Sequence, residues 1–302
     1  GTHRLLQNDV GFKALGLLVI DEEHRFGVSH KEKLKHIRNT VDVISLSATP
    51  IPRTMHLSLS GIKEISVIES PPEGRNPVET FITGHADAVI RDAVRFELDR
   101  GGQVYYVRNF VKGIEKSAAA ISKLIPSAKV AIAHGQMHEK ALEKAMYDFY
   151  KRKYNVLVST AIIESGLDIP SANTIIIENA DMFGLAQLYQ LRGRVGRSKE
   201  QAYAYLLYGS YNSLTEPAKK RLKAIAECDE LGMGYKLALQ DMEIRGAGNI
   251  LGREQHGHIA AVGIELYSEL LKEAVLAKRG EAPEEPAGVR IDLRVEAYLP
   301  DT

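Results

Sequence analysis

Apolar residues along this chain follow two rhythms. Short unbroken runs alternate with longer segments in which apolar positions recur every three or four residues. The runs are read as strands over 15–20, 41–46, 65–68, 78–82, 103–107, 129–133, 155–159, 174–177 and 203–207. Runs without alternation suit strands buried on both faces. The periodic segments are read as helices over 87–98, 114–125, 139–150, 185–191 and 217–226. Val89, Ile90, Ala93, Val94 and Leu98 share one helical face, as do Leu142, Met146 and Phe149. Both sets are read as core rather than as ligand contacts. Strands alternating with helices of this length predict an α/β fold, with parallel sheets covered on both faces.

Chain breakers divide the pattern. Residues 1–10 read as a loop entering a short helix, and 30–38 as a basic, solvated helix. Pro50 and Pro52 interrupt the chain before a helix expected near Thr54. The stretch Ser70-Pro71-Pro72-Glu73-Gly74-Arg75-Asn76-Pro77 reads as an interdomain linker. It separates a first unit, 1–77, from a second α/β unit, 78–228. From Leu231 the rhythm is helical alone, over 231–244 and 259–277, with Gly246, Gly248, Gly252 and Gly257 between. That pattern predicts a helical hairpin over 229–279. Residues 280–302 read as a Glu/Pro/Ala-rich linker followed by one alternating, strand-like stretch at 289–298.

Composition narrows the partners. Lys+Arg and Asp+Glu both count 39, so attraction to nucleic acid has to come from local clusters. The single cysteine, Cys228, excludes an intrachain disulfide and a cysteine-cluster zinc site, and fits a reducing compartment. No apolar run reaches the length of a membrane span, and the N-terminus lacks a signal-peptide pattern. The opening Gly1-Thr2-His3-Arg4 has no initiator methionine and is read as the middle of a longer protein.

Two stretches carry chemistry. Leu17-Leu18-Val19-Ile20 runs straight into Asp21-Glu22-Glu23-His24. Acids at the carboxyl end of a buried parallel strand stand where open α/β sheets bind ligands. An aspartate there can hold Mg²⁺, and a following glutamate can orient water toward a γ-phosphate. The second stretch is Gln190-Leu191-Arg192-Gly193-Arg194-Val195-Gly196-Arg197. Three arginines among glycines suit forked contacts to phosphate oxygens, with the backbone close to the ligand.

Together these stretches resemble the superfamily 2 helicases. Asp21-Glu22-Glu23-His24 resembles motif II, Ser47-Ala48-Thr49 motif III, and 190–197 motif VI. Ser159-Thr160-Ala161-Ile162-Ile163-Glu164-Ser165-Gly166-Leu167-Asp168-Ile169-Pro170 resembles motif V. Longer blocks around Asp21, Ser47 and Glu243 are similar to two branches of that superfamily, the RecG branch and the bacterial transcription-repair coupling factors. Glu23, Gly102-Gln103-Val104-Tyr105-Tyr106, His134-Gly135-Gln136-Met137 and Phe183-Gly184-Leu185-Ala186-Gln187-Leu188 favour the second branch.

The resemblance implies two RecA-like parallel-sheet domains, the first incomplete at its N-terminus, followed by a helical hairpin. It implies ATP and Mg²⁺ as cofactors and double-stranded DNA as substrate track, in the bacterial cytoplasm. Glu22, Arg194 and Arg197 would be catalytic, with Asp21 holding Mg²⁺. His24, Gly166, Asp168 and Gln190 would line the nucleotide and link the domains. Ser47, Thr49, Glu243, Arg245 and Gln255 would couple nucleotide state to movement. Thr2, His3, His134, Gln136 and Thr160 would meet the DNA backbone. RNA polymerase and the repair protein UvrA would be bound through regions missing from this chain. The implied activity is ATP-driven translocation that displaces stalled RNA polymerase and recruits excision repair. Two alternatives stand beside it: a RecG-type fork-remodelling helicase and a catalytically inert DNA-binding fragment. One departure bears on the last. No Gly-x-x-x-x-Gly-Lys-Ser/Thr phosphate loop occurs in the sequence, so the chain is read as part of a motor, inactive alone.

Overall fold

A computed structural model of the chain describes residues 3–7, 9–22, 26–27, 30, 32–34, 37, 41–48, 65–68, 76–160, 168–228, 233–245 and 277. Among these residues, β1 (Leu17–Asp21) and β2 (Asp42–Leu46) pair in parallel, with Val19 opposite Ile44 and Asp21 opposite Leu46. Both acidic and motif III segments therefore leave the same end of one small sheet. Residues 65–68, expected as a strand, are exposed and outside either sheet, Ile68 at 81%. Apolar content makes a strand only where a neighbour completes the hydrogen-bond ladder. Of the expected basic helix, residues 32–34 are helical, and Leu34 is buried beneath them. The helix expected near Thr54, the second hairpin stem apart from Ala277, which is helical, and the strand-like 289–298 lie outside the described residues.

The second unit is a six-stranded parallel sheet among the described residues. Its strands are β3 (Glu79–Gly84), β4 (Gln103–Val107), β5 (Val130–Ala133), β6 (Val156–Ser159), β7 (Ala172–Ile177) and β8 (Tyr203–Tyr208). Their spatial order is β3-β8-β7-β4-β6-β5. The helices are α1 (Asp87–Asp99), α2 (Ile114–Leu124), α3 (Glu139–Tyr150), α4 (Leu185–Arg192), α5 (Glu216–Glu227) and α6 (Gly234–Arg245). Every residue of β4, β6 and β7 is buried, as unbroken apolar runs require.

Alternate residues of one strand serve opposite cores. Val104 and Tyr106 of β4 pack with Ile90 and Val94 of α1 and Ile121 of α2. Tyr105 and Val107 pack on the other side with Phe149 of α3, Leu188 of α4 and Ile225 of α5. The helices thus cover both faces. Helix α5 starts at Thr215, whose hydroxyl accepts the Ala218 N–H at 3.3 Å, with Pro217 in the first turn. Helix α6 is the first stem of the expected hairpin. It is rooted in the second unit's core by Leu237, which is 1% exposed.

One buried charge holds the amino-end rim of this sheet. Glu97 is fully buried at the end of α1 and accepts from Thr174 Oγ1 and Arg100 Nη2, each at 2.5 Å. Arg100 also donates to the Gln201 carbonyl at 2.7 Å and stacks over Phe96 and Tyr203. A side chain at Gly102 would collide with the Glu97 carboxylate, so glycine there is a packing requirement.

Candidate nucleotide and nucleic-acid site

At the carboxyl end of β1, Asp21 is exposed and the chain turns sharply at Glu22. Glu22 has φ 49°, a left-handed conformation that a non-glycine residue adopts only when held. Hydrogen bonds from both its backbone and its side chain hold it. Its N–H donates to Leu46 O at 2.9 Å, extending the β1–β2 ladder by one step. Its carboxylate accepts the Ser47 hydroxyl at 3.1 Å and the Ala48 N–H at 3.4 Å. The predicted motif II and motif III residues are thus joined directly, with the carboxylate fixed beside an exposed aspartate. Asp21 fits Mg²⁺, which takes one or two protein carboxylates and leaves its other positions to water and phosphate. Glu23, His24, Thr49, Thr2, Gly166 and Gln255 lie outside the described residues. His3 opens a short 3₁₀ turn, His3–Leu6.

The three arginines of the second stretch have separate fates. Arg192, at the end of α4, is buried; it donates to the Ile225 carbonyl at 3.0 Å and lies over the Tyr189 ring. It clamps α4 to α5 and is structural. Arg197 instead reaches Asp168, Nη1 to Oδ1 at 3.4 Å, and donates from Nε to the Gly193 carbonyl at 3.3 Å. This brings motif V and motif VI together. The turn that allows it is at Gly196, φ +72°, where an added Cβ would come to 3.0 Å from Val78 Cγ2. Arg194 is half-buried, and Gln190 is buried within α4.

Tyr105 lies close enough to this group to feel its charges. Burial pushes its hydroxyl well above the ordinary tyrosine range, while the cations Arg197 and Arg194 pull against that shift. It is therefore neutral at any working pH. In the sequence Tyr105 is one residue of an apolar run, and no local signal marks its nearness to the arginines.

The carboxyl ends of β4 to β7 form a polar rim. After β5, Met137 N–H donates to His134 O at 3.0 Å, closing a turn that leaves Gln136 exposed and His134 half-buried. Thr160 N–H donates to Ala133 O at 3.3 Å, so the expected contacts His134, Gln136 and Thr160 share one rim, Thr160 itself buried. After β4 and β7, Glu178 forms an ion pair with Arg108, Oε2 to Nε at 2.9 Å, and accepts from Tyr106 Oη at 3.1 Å. Burial, then the Glu178 carboxylate, raises the Tyr106 hydroxyl far above its ordinary value, keeping it a donor. No local sequence pattern marks Arg108 or Glu178. Glu243 and Arg245 stand near the end of α6.

Two family models match the chain: DEAD/DEAH box helicase over residues 1–57 and helicase conserved C-terminal domain over residues 86–199. The transcription-repair-coupling factor of Bacillus subtilis (strain 168) is 55% identical over 303 residues, covering 100% of this chain and 26% of the relative. That of Staphylococcus aureus (strain USA300) is 53% identical over 302 residues, covering 99% and 26%. The chain thus spans about a quarter of the length of these relatives. Among solved structures, RecG bound to a three-way DNA junction is 38% identical with a TM-score of 0.65, covering 90% of this chain and 35% of that one. The Mycobacterium smegmatis helicase Lhr bound to ssDNA and AMP-PNP has a TM-score of 0.54 at 16% identity, covering 72% and 31%; this likeness is one of fold.

Proposed function

We propose, for a chain that belongs to the superfamily 2 helicase motors and within them with the transcription-repair-coupling factors, that it is motor sequence of an ATP-driven translocase on double-stranded DNA. The observation that carries this reading is the clasp of Ser47 and Ala48 on the Glu22 carboxylate. A carboxylate held in a strained turn at a strand end is pre-organised to orient one water. ATP with Mg²⁺, on which this family depends in general, supplies the transferable phosphoryl group when bound. Asp21 would hold the metal, and Glu22 would orient the water that attacks the phosphoryl group. Arg194 and Arg197 neutralise charge developing on the phosphoryl oxygens, Asp168 keeping Arg197 in place beforehand. Gln190 and His24 would link nucleotide binding to the two units, and Gly166 would serve the same role. Thr2, His3, His134, Gln136 and Thr160 grip the DNA backbone, which gives binding without sequence preference.

Ser47, Thr49, Glu243, Arg245 and Gln255 pass nucleotide state to the DNA grip. The units divide at 77, 228 and 279. The phosphate-cradling lysine loop is supplied from outside these residues, since the sequence has no Gly-Lys dipeptide. Among the described residues no helix is long and apolar enough to cross a membrane. We place the protein in the bacterial cytoplasm because the reading makes duplex DNA its track. Its task in this reading is to displace stalled RNA polymerase and bring in UvrA through other regions of the protein.

The test is Glu22→Gln in the full-length protein. Duplex-stimulated ATP hydrolysis should disappear while binding of a non-hydrolysable ATP analogue persists. Hydrolysis at the wild-type rate would refute the assignment. The likeness to RecG supports a second reading, fork remodelling. Release of a stalled RNA polymerase by the full-length protein favours the first. Regression of a model fork without such release favours the second.

A further inference from the structure

Helix α6 begins with a glycine that no nucleotide or DNA role explains. Gly234 is buried, and a methyl group placed on it would be driven into the carbonyl oxygen of Ala48 and come within 3.5 Å of the Tyr189 ring. Glycine is otherwise a poor residue for a helix. Its presence here lets the helix backbone press directly on the motif III loop. Ala48 thus has two engagements. Its N–H holds the Glu22 carboxylate, and its C=O bears on Gly234. A single peptide-linked residue therefore connects the water-orienting acid of the first unit to α6. The far side of the contact is firm. Leu237 and Ala238 are buried one turn further on, and α6 rests against α4 and α5. A displacement of Ala48 would be passed along a rooted helix rather than absorbed, because packed interiors transmit strain. The helix leads straight to Glu243 and Arg245.

We propose that Ala48 and Gly234 form a bearing through which the state of the Glu22 site is transmitted to helix α6, with Gly234 as a positioning residue. This rests on the motor reading above. A side chain at 234 would displace Ala48 from this contact, so that a change at Glu22 is no longer passed to α6.

The experiment compares full-length wild type, Gly234→Ala and, as a control on the same helix, Lys236→Ala, whose residue is exposed. Duplex Kd is measured with and without a non-hydrolysable ATP analogue, and analogue Kd without DNA. Coupled sites change each other's affinity by about 5–150-fold. We expect such a ratio in wild type and in Lys236→Ala, and its collapse toward unity in Gly234→Ala, with analogue binding alone and melting temperature unchanged. A preserved ratio in Gly234→Ala overturns the bearing. Should that variant not fold, amide exchange across 234–238 of wild type decides. A change on adding the analogue supports the bearing, and its absence overturns it. If wild type shows neither duplex binding nor duplex-stimulated hydrolysis, the motor reading fails and the bearing falls with it.

Discussion

Replacing Ser47 with alanine removes one hydroxyl from the clasp on Glu22 and nothing from either core. The bond lost is 3.1 Å long and ends on a carboxylate. Hydrogen bonds to charged groups are worth about 1.5–3 kcal/mol. Ser47 is exposed, so water replaces part of the interaction and about 1 kcal/mol remains as orientation. Glu22 also sits at φ 49°, a conformation that stores about 1–3 kcal/mol, and a weaker clasp lets it relax away from its aim. The two effects act together on the barrier, about 1–2 kcal/mol in total, which is about a five- to thirtyfold loss of rate. The assay is steady-state ATP hydrolysis by the full-length protein on saturating duplex. The expected result is a fall in kcat of that size, with KM for ATP nearly constant and an unchanged melting curve. A raised KM at constant kcat would mean that Ser47 serves ground-state binding, and the orientation argument would be wrong.

Other substitutions separate roles that the sequence runs together. Arg197→Ala should lower kcat by about 10³–10⁵, the span attributed to arginine fingers, with far less effect on ATP-analogue affinity; loss of both in step would make it a ground-state ligand. Arg192→Ala should act on stability, by about 1.5–3 kcal/mol for the lost bond to Ile225, and a normal melting curve with abolished hydrolysis would contradict that placement. Glu97→Ala leaves Thr174 and the partly exposed Arg100 without their shared acceptor, and should destabilise by up to about 3–5 kcal/mol in chemical denaturation, an unchanged midpoint being the contrary result. Arg245→Ala in the full-length protein should retain much of the ATPase and lose displacement of a triplex strand, whereas parallel loss of both would point to a structural pairing.

Much of the fold could be read along the chain because burial is written locally. A strand covered on both faces must be apolar at every position, and a helix on a sheet must be apolar on one stripe. Strands 103–107 and 155–159 and helix 139–150 followed from that alone, as did the acids at a strand end and the arginines after a helix. Among the described residues, 65–68 meet the same condition and pair with no strand, since a ladder also needs a neighbour, which periodicity does not encode. The order β3-β8-β7-β4-β6-β5 likewise depends on contacts between residues far apart in the chain. So do the separate fates of Arg192 and Arg197, identical in type and five positions apart. One meets the Ile225 carbonyl beneath α4; the other, turned outward at Gly196, meets Asp168. Gly102 and Gly234 carry no periodic signal at all, since the need for glycine arises from Glu97 in one case and from Ala48, 186 positions earlier, in the other. Side-chain chemistry is a property of the residue; what that chemistry faces is decided only when distant segments are brought within a few ångströms.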